Sequence, residues 1–199
     1  MHLAVMMLVI LNPFSQVLYL RELMGTLSFR EFASVHLKAT LLSLGVFAVF
    51  ILAGDLLLQR VFQIQLGSLQ IFGGMINLYV AYRFITVGPG SNLLFRGNIA
   101  DLAPQISLPY MVGPGMIWMS ILMGRTYPKV FAVLLVCSVL AFNMAFVLAV
   151  KAAFQHLKEQ SETMLGKYFA ILMRTMALFI GAIGVEMILK GIQEGLNTS

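Results

Sequence analysis

Residues 130–150 read VFAVLLVCSVLAFNMAFVLAV, a run of 21 residues without a charged side chain. An α-helix rises about 1.5 Å per residue, so roughly 20 residues cross the hydrocarbon core of a bilayer, which is about 30 Å thick. The run is continuously apolar and does not alternate with polar residues, which argues against a membrane β-strand. This stretch therefore indicates a transmembrane helix.

The composition extends this conclusion to the whole chain. Of the 199 residues, 60% are hydrophobic and only 11% are charged, whereas a soluble domain carries about 25% charged residues. A single oversized aqueous core is the alternative, but so few charges could not cover it. The net charge of +5 comes from basic residues scattered at the ends of apolar runs. They form no basic cluster interleaved with aromatics, so we expect no nucleic-acid partner.

Five further segments approach the length of a transmembrane helix. The N-terminal one lacks a basic leader and a small-residue cleavage pattern, so we interpret it as a retained helix and not as a signal peptide. We predict one all-α integral membrane domain over residues 1–199 with about six transmembrane helices. The five additional segments are about Leu3–Leu20, Leu37–Leu58, Ile64–Ile85, Ile106–Met123 and Tyr168–Ile192.

The stretch 87–103 contains Gly, Pro, Ser and Asn and divides the chain almost in half. We interpret it as a linker between a first repeat, 1–86, and a second repeat, 104–199. Because each repeat has three spans, the two enter the membrane in opposite directions and are inverted relative to each other. Asn12-Pro13 interrupts the first span, and Gly113-Pro114-Gly115 interrupts the fourth. Interruptions at corresponding positions of two halves indicate the midplane binding site of a transporter.

The chemistry of such interruptions favours a small anionic or zwitterionic ligand. Proline removes a backbone donor and breaks the helix around it, and the following half-helix presents free N–H groups with a positive dipole end. Such an end attracts a carboxylate. A simple proline kink explains either break alone, but two symmetric breaks favour a site. The predicted substrate-binding residues are Asn12, Pro13, Ser15, Gly73, Gly74, Asn77, Gly113, Pro114, Gly115 and Ser120.

The distribution of Lys and Arg predicts the orientation. Eight of these residues fall in the connections after spans one, three and five, against four on the opposite side. Cytoplasmic connections are enriched in Lys and Arg. We therefore predict that both termini lie on the non-cytoplasmic side of the plasma (inner) membrane.

Glu186 is the only acidic residue deep in a predicted span, and Lys190 follows it by four residues. This spacing suits an ion pair on one helix face. The pair is either structural, near the membrane interface, or Glu186 is a protonatable group that couples transport to protons. No cluster of His, Cys and acidic residues has metal-ligand spacing, so we expect neither a metal nor a cofactor.

Four strings, in order, resemble motifs of the MarC family of membrane proteins. LNPFSQ (11–16) is similar to its Asn-Pro-x-Gly motif, and QIFGGMINLYVAYRFI (70–85) to its Ile-x-Gly-Gly-Ile-Leu segment. LPYMVGPGMI (108–117) resembles its Pro-x-x-x-Gly-Pro-Gly-x-Ile segment, and RTMALFIGAIGVEMILKGI (174–192) its closing Arg-x-Met-Gly-Leu helix. Ser15 and Ala177 stand where the family has glycine.

The resemblance implies a multispanning, transporter-like protein, since some members are described as small neutral amino acid transporters. We therefore expect a secondary transporter of small neutral amino acids or similar zwitterions that works by alternating access. The alternative is a membrane scaffold, or a subunit of a larger complex, without transport of its own. A membrane enzyme ranks third because no nucleophile–base set appears in the spans. The expected partners are a small-molecule substrate and the lipid bilayer, with a homo-oligomer left open.

Overall fold

The computed structural model describes residues 2–88, 99–156 and 159–197, and every regular element within these ranges is helical. The first part contains α1 (His2–Leu11), α2 (Pro13–Tyr19), α3 (Arg21–Thr26), α4 (Phe29–Leu56), the π-helical segment π1 (Leu57–Phe62) and α5 (Leu66–Thr86). The second part contains α6 (Ile99–Gln105), the π-helical segment π2 (Ile106–Met111), α7 (Pro114–Thr126), α8 (Lys129–His156) and α9 (Glu159–Asn197).

The exposed faces of the long helices are apolar and several buried positions are polar. Leu52, Leu134 and Leu178 are 58%, 62% and 62% exposed. By contrast, the side chains of Ser43 and Asn143 are fully buried. A protein in water would not leave such apolar stripes uncovered. The distribution therefore indicates that lipid is the solvent for these helices, as the composition predicts.

Four helical stretches are long and apolar enough to cross a membrane: His2–Tyr19, Phe29–Phe62, Lys129–Phe154 and Met164–Leu196. The all-helical membrane fold is thus confirmed, whereas the count of six spans stays a prediction. The predicted third span corresponds to α5, whose three glycines, Gln70, Asn77 and Arg83 lower its hydropathy. The predicted fourth span corresponds to π2 and α7, which are separate elements joined through residues 112–113.

Several helix boundaries differ from the predicted ones for local reasons. Helix α4 begins at Phe29 and not near Leu37, because Ser28 and Glu31 form a capping box. The Ser28 hydroxyl accepts from the Glu31 N–H (3.3 Å), and the Glu31 carboxylate accepts from the Ser28 N–H (3.0 Å), which satisfies two otherwise unpaired donors. Helix α6 begins inside the predicted linker 87–103, of which residues 89–98 lie outside the described ranges.

Buried positions recur at a spacing of 100 residues. Helices α4 and α8 are both 28 residues long and begin 100 residues apart. Most positions that are buried in α4 are also buried 100 residues later, in α8. The same correspondence holds between α1 and the segment formed by α6 and π2. The matching buried pairs are Leu3 and Ala103, Met7 and Ser107, Leu11 and Met111, Phe32 and Ala132, His36 and Val136, Ala39 and Val139, Thr40 and Leu140, Ser43 and Asn143, Phe47 and Val147, and Ile51 and Lys151.

Helices α4 and α8 run antiparallel. Lys129, at the start of α8, donates to the carbonyl of Ile51 near the end of α4 (2.8 Å). Lys151, near the end of α8, donates to the carbonyls of Met24 and Leu27 just before α4 begins. The two bonds of Lys151 offset part of the free-energy cost of burying its ammonium group among apolar side chains.

Helices α5 and α9 form another antiparallel pair, and glycines mediate their approach. A Cβ atom added at Gly67 would lie 2.8 Å from the carbonyl oxygen of Gly191. One added at Gly74 would lie 2.5 Å from the carbonyl oxygen of Gly184. Only residues without side chains permit backbones to come this close in a membrane. The glycines therefore set the separation of the two helices.

Candidate functional site

The first interruption lies between α1 and α2, at Asn12. Its backbone is left-handed (φ 45°, ψ 78°), a conformation that Asn tolerates better than most residues. The N–H of Ser15 donates to the Asn12 side-chain oxygen (3.2 Å), and the Ser15 hydroxyl donates to the Asn12 carbonyl (2.7 Å). Pro13 occupies the first position of α2, where its missing N–H has no consequence. Asn12, Pro13 and Ser15 thus form one local unit, as the LNPFSQ string indicates.

Two further amides complete this first interruption, and the sequence did not single them out as site residues. The Gln16 side-chain nitrogen donates to the Leu11 carbonyl (3.3 Å), and the Asn143 nitrogen donates to the Gln16 side-chain oxygen (3.0 Å). Asn12, Gln16 and Asn143 are 1%, 3% and 0% exposed. Among the described side chains, the Asn12 Nδ2 and Asn143 Oδ1 atoms are buried without a hydrogen-bond partner. One donor and one acceptor therefore remain available here.

An aromatic cluster lies beside these amides. The rings of Phe14 and Phe146 are 5.3 Å apart in an edge-to-face arrangement, and Phe169 lies 6.1 Å from Phe14 and 6.3 Å from Phe146. Such contacts stabilise packing beyond the area that they bury. The cluster joins α2, α8 and α9 next to the first interruption.

The second interruption lies between π2 and α7. Val112 and Gly113 have extended backbones, with φ −107° and −118°, and α7 begins at Pro114. Among the described residues, a Cβ atom added at Gly113 would have no heavy atom within 4 Å, and no side chain caps the start of α7. The first N–H groups of this helix therefore depend on backbone, solvent or ligand acceptors.

Gly115 lies at the centre of the second interruption. A Cβ atom at Gly115 would lie 2.7 Å from the Asn77 side-chain nitrogen, and one at Gly73 would lie 3.2 Å from the Gly115 nitrogen. Asn77 in turn donates to the Met187 sulfur at 3.5 Å, a weak acceptor. Three predicted site residues, Gly73, Asn77 and Gly115, are thus in contact. Met187 joins them, a residue that sequence reasoning missed.

The remaining predicted residues have other surroundings. Gly74 faces Gly184 of α9 and not the second interruption. The buried Ser120 hydroxyl donates to the Met116 carbonyl of its own helix (2.9 Å). Glu186 and Lys190 form the expected ion pair at 3.0 Å, with side chains 54% and 59% exposed. Among the described side chains, no hydrogen bond joins the residues of the first interruption to those of the second.

The sequence matches the description "MarC family integral membrane protein" over residues 1–196. The chain belongs to the MarC family. Membership in MarC agrees with the four motifs and accounts for nearly the whole length.

Among curated MarC-type relatives, a UPF0056 membrane protein of Pyrococcus horikoshii is 24% identical over 94% of this chain and 90% of its own length. One of Aquifex aeolicus is 28% identical over 96% and 91%. The UPF0056 inner membrane protein YhgN of Escherichia coli is 22% identical over 94% and 96%. No solved structure matches this MarC protein.

Proposed function

We propose that this MarC protein is a secondary transporter of small neutral amino acids or similar zwitterions. The main support is the contact of Gly73, Asn77 and Gly115 at the second interruption. There the start of α7 offers backbone N–H groups beside a polar amide, inside a domain otherwise surrounded by lipid. A helix start of this kind is suited to a carboxylate.

The polar groups at the two interruptions favour a ligand without net charge. The described side chains that form them are amides, hydroxyls and a thioether, and none is ionised. An unpaired charge in such an interior would be strongly destabilised. A zwitterion could place its carboxylate at the N–H groups of α7 and its ammonium near an amide oxygen. Such a ligand satisfies both groups and remains neutral as a whole.

The proposed transport cycle uses two inverted repeats, 1–86 and 104–199. Support comes from the recurrence of buried positions at a spacing of 100 residues. It also comes from the antiparallel course of α4 and α8, which start 100 residues apart, because equivalent helices of inverted repeats run in opposite directions. Repeats of this type can rock against each other and expose a central site to either side in turn. We propose transport of this kind and no catalysis.

Uptake into proteoliposomes tests the proposal. The purified protein, reconstituted into liposomes, is expected to accumulate at least one member of a panel of labelled neutral amino acids faster than protein-free liposomes do. Anionic and cationic amino acids serve as internal comparisons and are expected to remain at the protein-free level. If the protein is instead a scaffold or a subunit of a larger complex, no amino acid of the panel should be taken up, although the protein remains monodisperse in detergent.

The proposed orientation gives a second test. Both termini are expected on the non-cytoplasmic side. Eight basic residues lie in the connections after spans one, three and five, and four lie on the opposite side of the membrane. Cytoplasmic connections are enriched in Lys and Arg, so the side with eight is expected to be cytoplasmic. Alkaline phosphatase fused after Ser199 should therefore be active and a fluorescent protein that folds only in the cytoplasm should be dark. A bright fluorescent fusion would reverse the orientation.

A further inference from the structure

His36 is a buried titratable residue with no role in the site described above. It lies in α4, its side chain is 0% exposed, and neither ring nitrogen has a hydrogen-bond partner among the described groups. Its ring is parallel to that of Phe32, with centroids 5.9 Å apart and an interplanar angle of 5°. A buried imidazole with two unpartnered nitrogens is costly. Packing alone would be served better by an apolar side chain.

A polar stripe continues from His36 along the same face of α4. The Thr40 hydroxyl donates to the His36 carbonyl (2.8 Å), and the buried Ser43 shares a hydrogen bond of 2.8 Å with Ser107 of π2. The spacing of residues 36, 40 and 43 places them on one helix face. Helices α6 and π2 both pack on α4. Ser43, about two turns from His36 on this face, therefore contacts the segment that leads into the second interruption.

The charged side chains near this face are exposed or bound elsewhere. Those of α3, α4, α6 and π1 that are exposed are Arg21, Glu22, Arg30, Glu31, Lys38, Arg60 and Asp101. Arg125 of α7 pairs with Asp55 (2.6 Å) and Glu194 (3.8 Å). Lys129 and Lys151 of α8 bind backbone carbonyls. Within the described residues, none of these ion pairs involves His36.

We propose that His36 binds the proton that couples solute movement to a proton gradient, an inference that rests on the proposed transport function. An imidazole exposed to water titrates in the physiological range. When His36 is neutral, its ring can stay buried against Phe32. When it is protonated, the unpaired charge requires water or a polar partner, so the packing around His36 must open. One proton taken up from the open side and released to the other thus links the two conformations.

His36→Phe tests this coupling, because phenylalanine can keep the stacking on Phe32 but cannot bind a proton. In proteoliposomes, the wild-type protein should accumulate its substrate when an inward proton gradient is imposed. His36→Phe should lose this accumulation yet retain exchange of labelled for unlabelled substrate at equal pH. Its melting temperature should equal or exceed that of the wild type. His36→Leu should behave in the same way, and the exposed His2→Gln should behave as wild type.

The outcomes separate this inference from the proposed function. Absence of exchange in the wild-type protein would overturn transport and the coupling with it. Exchange together with an unchanged response of His36→Phe to the proton gradient would overturn the coupling alone.

Discussion

Uptake by a Gly115→Val variant should fall to the level of protein-free liposomes while the protein still inserts and folds. A Cβ atom at this position would lie 2.7 Å from Nδ2 and 2.9 Å from Oδ1 of Asn77, far inside van der Waals contact. The Asn77 amide is the end of a side chain and can move, so the fold should survive. Its movement, together with the added valine methyls, would fill the space at the start of α7 where the substrate carboxylate is proposed to bind.

Gly45→Val is the matched control. Gly45 lies on the exposed side of α4 and belongs to neither interruption, and a Cβ there meets no described atom within 4 Å. This variant should retain most of the uptake. Gel filtration and melting temperature should be similar for both variants. Wild-type uptake by a well-folded Gly115→Val protein would contradict a substrate site at the second interruption and would show that the interruption is only a structural kink.

Gly74→Ala should strongly destabilise the protein. The new Cβ would lie 2.5 Å from the Gly184 carbonyl oxygen and 2.8 Å from Cγ1 of Ile188. The carbonyl belongs to the backbone of α9 and cannot rotate away, so α5 and α9 must separate along their interface. Overpacking usually costs about 1–3 kcal/mol, and at times more. We expect the upper end of that range here, since two backbones must shift.

Gly45→Ala provides the control for helix propensity. Gly45 lies within α4, and a Cβ there meets nothing within 4 Å. Alanine is favoured over glycine in a helix interior by up to about 1 kcal/mol, so this variant should be as stable as the wild type or more so. Melting temperatures measured in one detergent compare the two variants. Equal stability of Gly74→Ala and Gly45→Ala would contradict the close approach of α5 to α9.

Local sequence signals predicted the helical fold well, since the apolar runs indicated membrane helices. The break of the first span at Asn12-Pro13 stays a prediction; the backbone of Asn12 is left-handed there. The boundaries were less accurate. Helix α4 starts earlier because its capping box outweighs hydropathy, and the predicted fourth span is divided because π2 ends before Gly113-Pro114.

Contacts between residues distant in sequence could not be predicted. Gln16 and Asn143 are 127 residues apart, and Asn77 and Met187 are 110 apart, so no periodicity in one segment reveals either pair. The second span was predicted to begin at about Leu37, which leaves His36 outside it. Once α4 begins at Phe29, His36 lies inside the helix.

Solute counterflow tests the central claim of alternating access most directly. Proteoliposomes loaded with a high concentration of an unlabelled substrate are diluted into a trace of the same labelled compound, without any ion gradient. A carrier that exposes one site to each side in turn should concentrate the label transiently inside before it returns to equilibrium. A channel would only equilibrate the label without an overshoot, and a scaffold would admit none. Either of those results, from monodisperse wild-type protein and a neutral amino acid panel, would contradict the account.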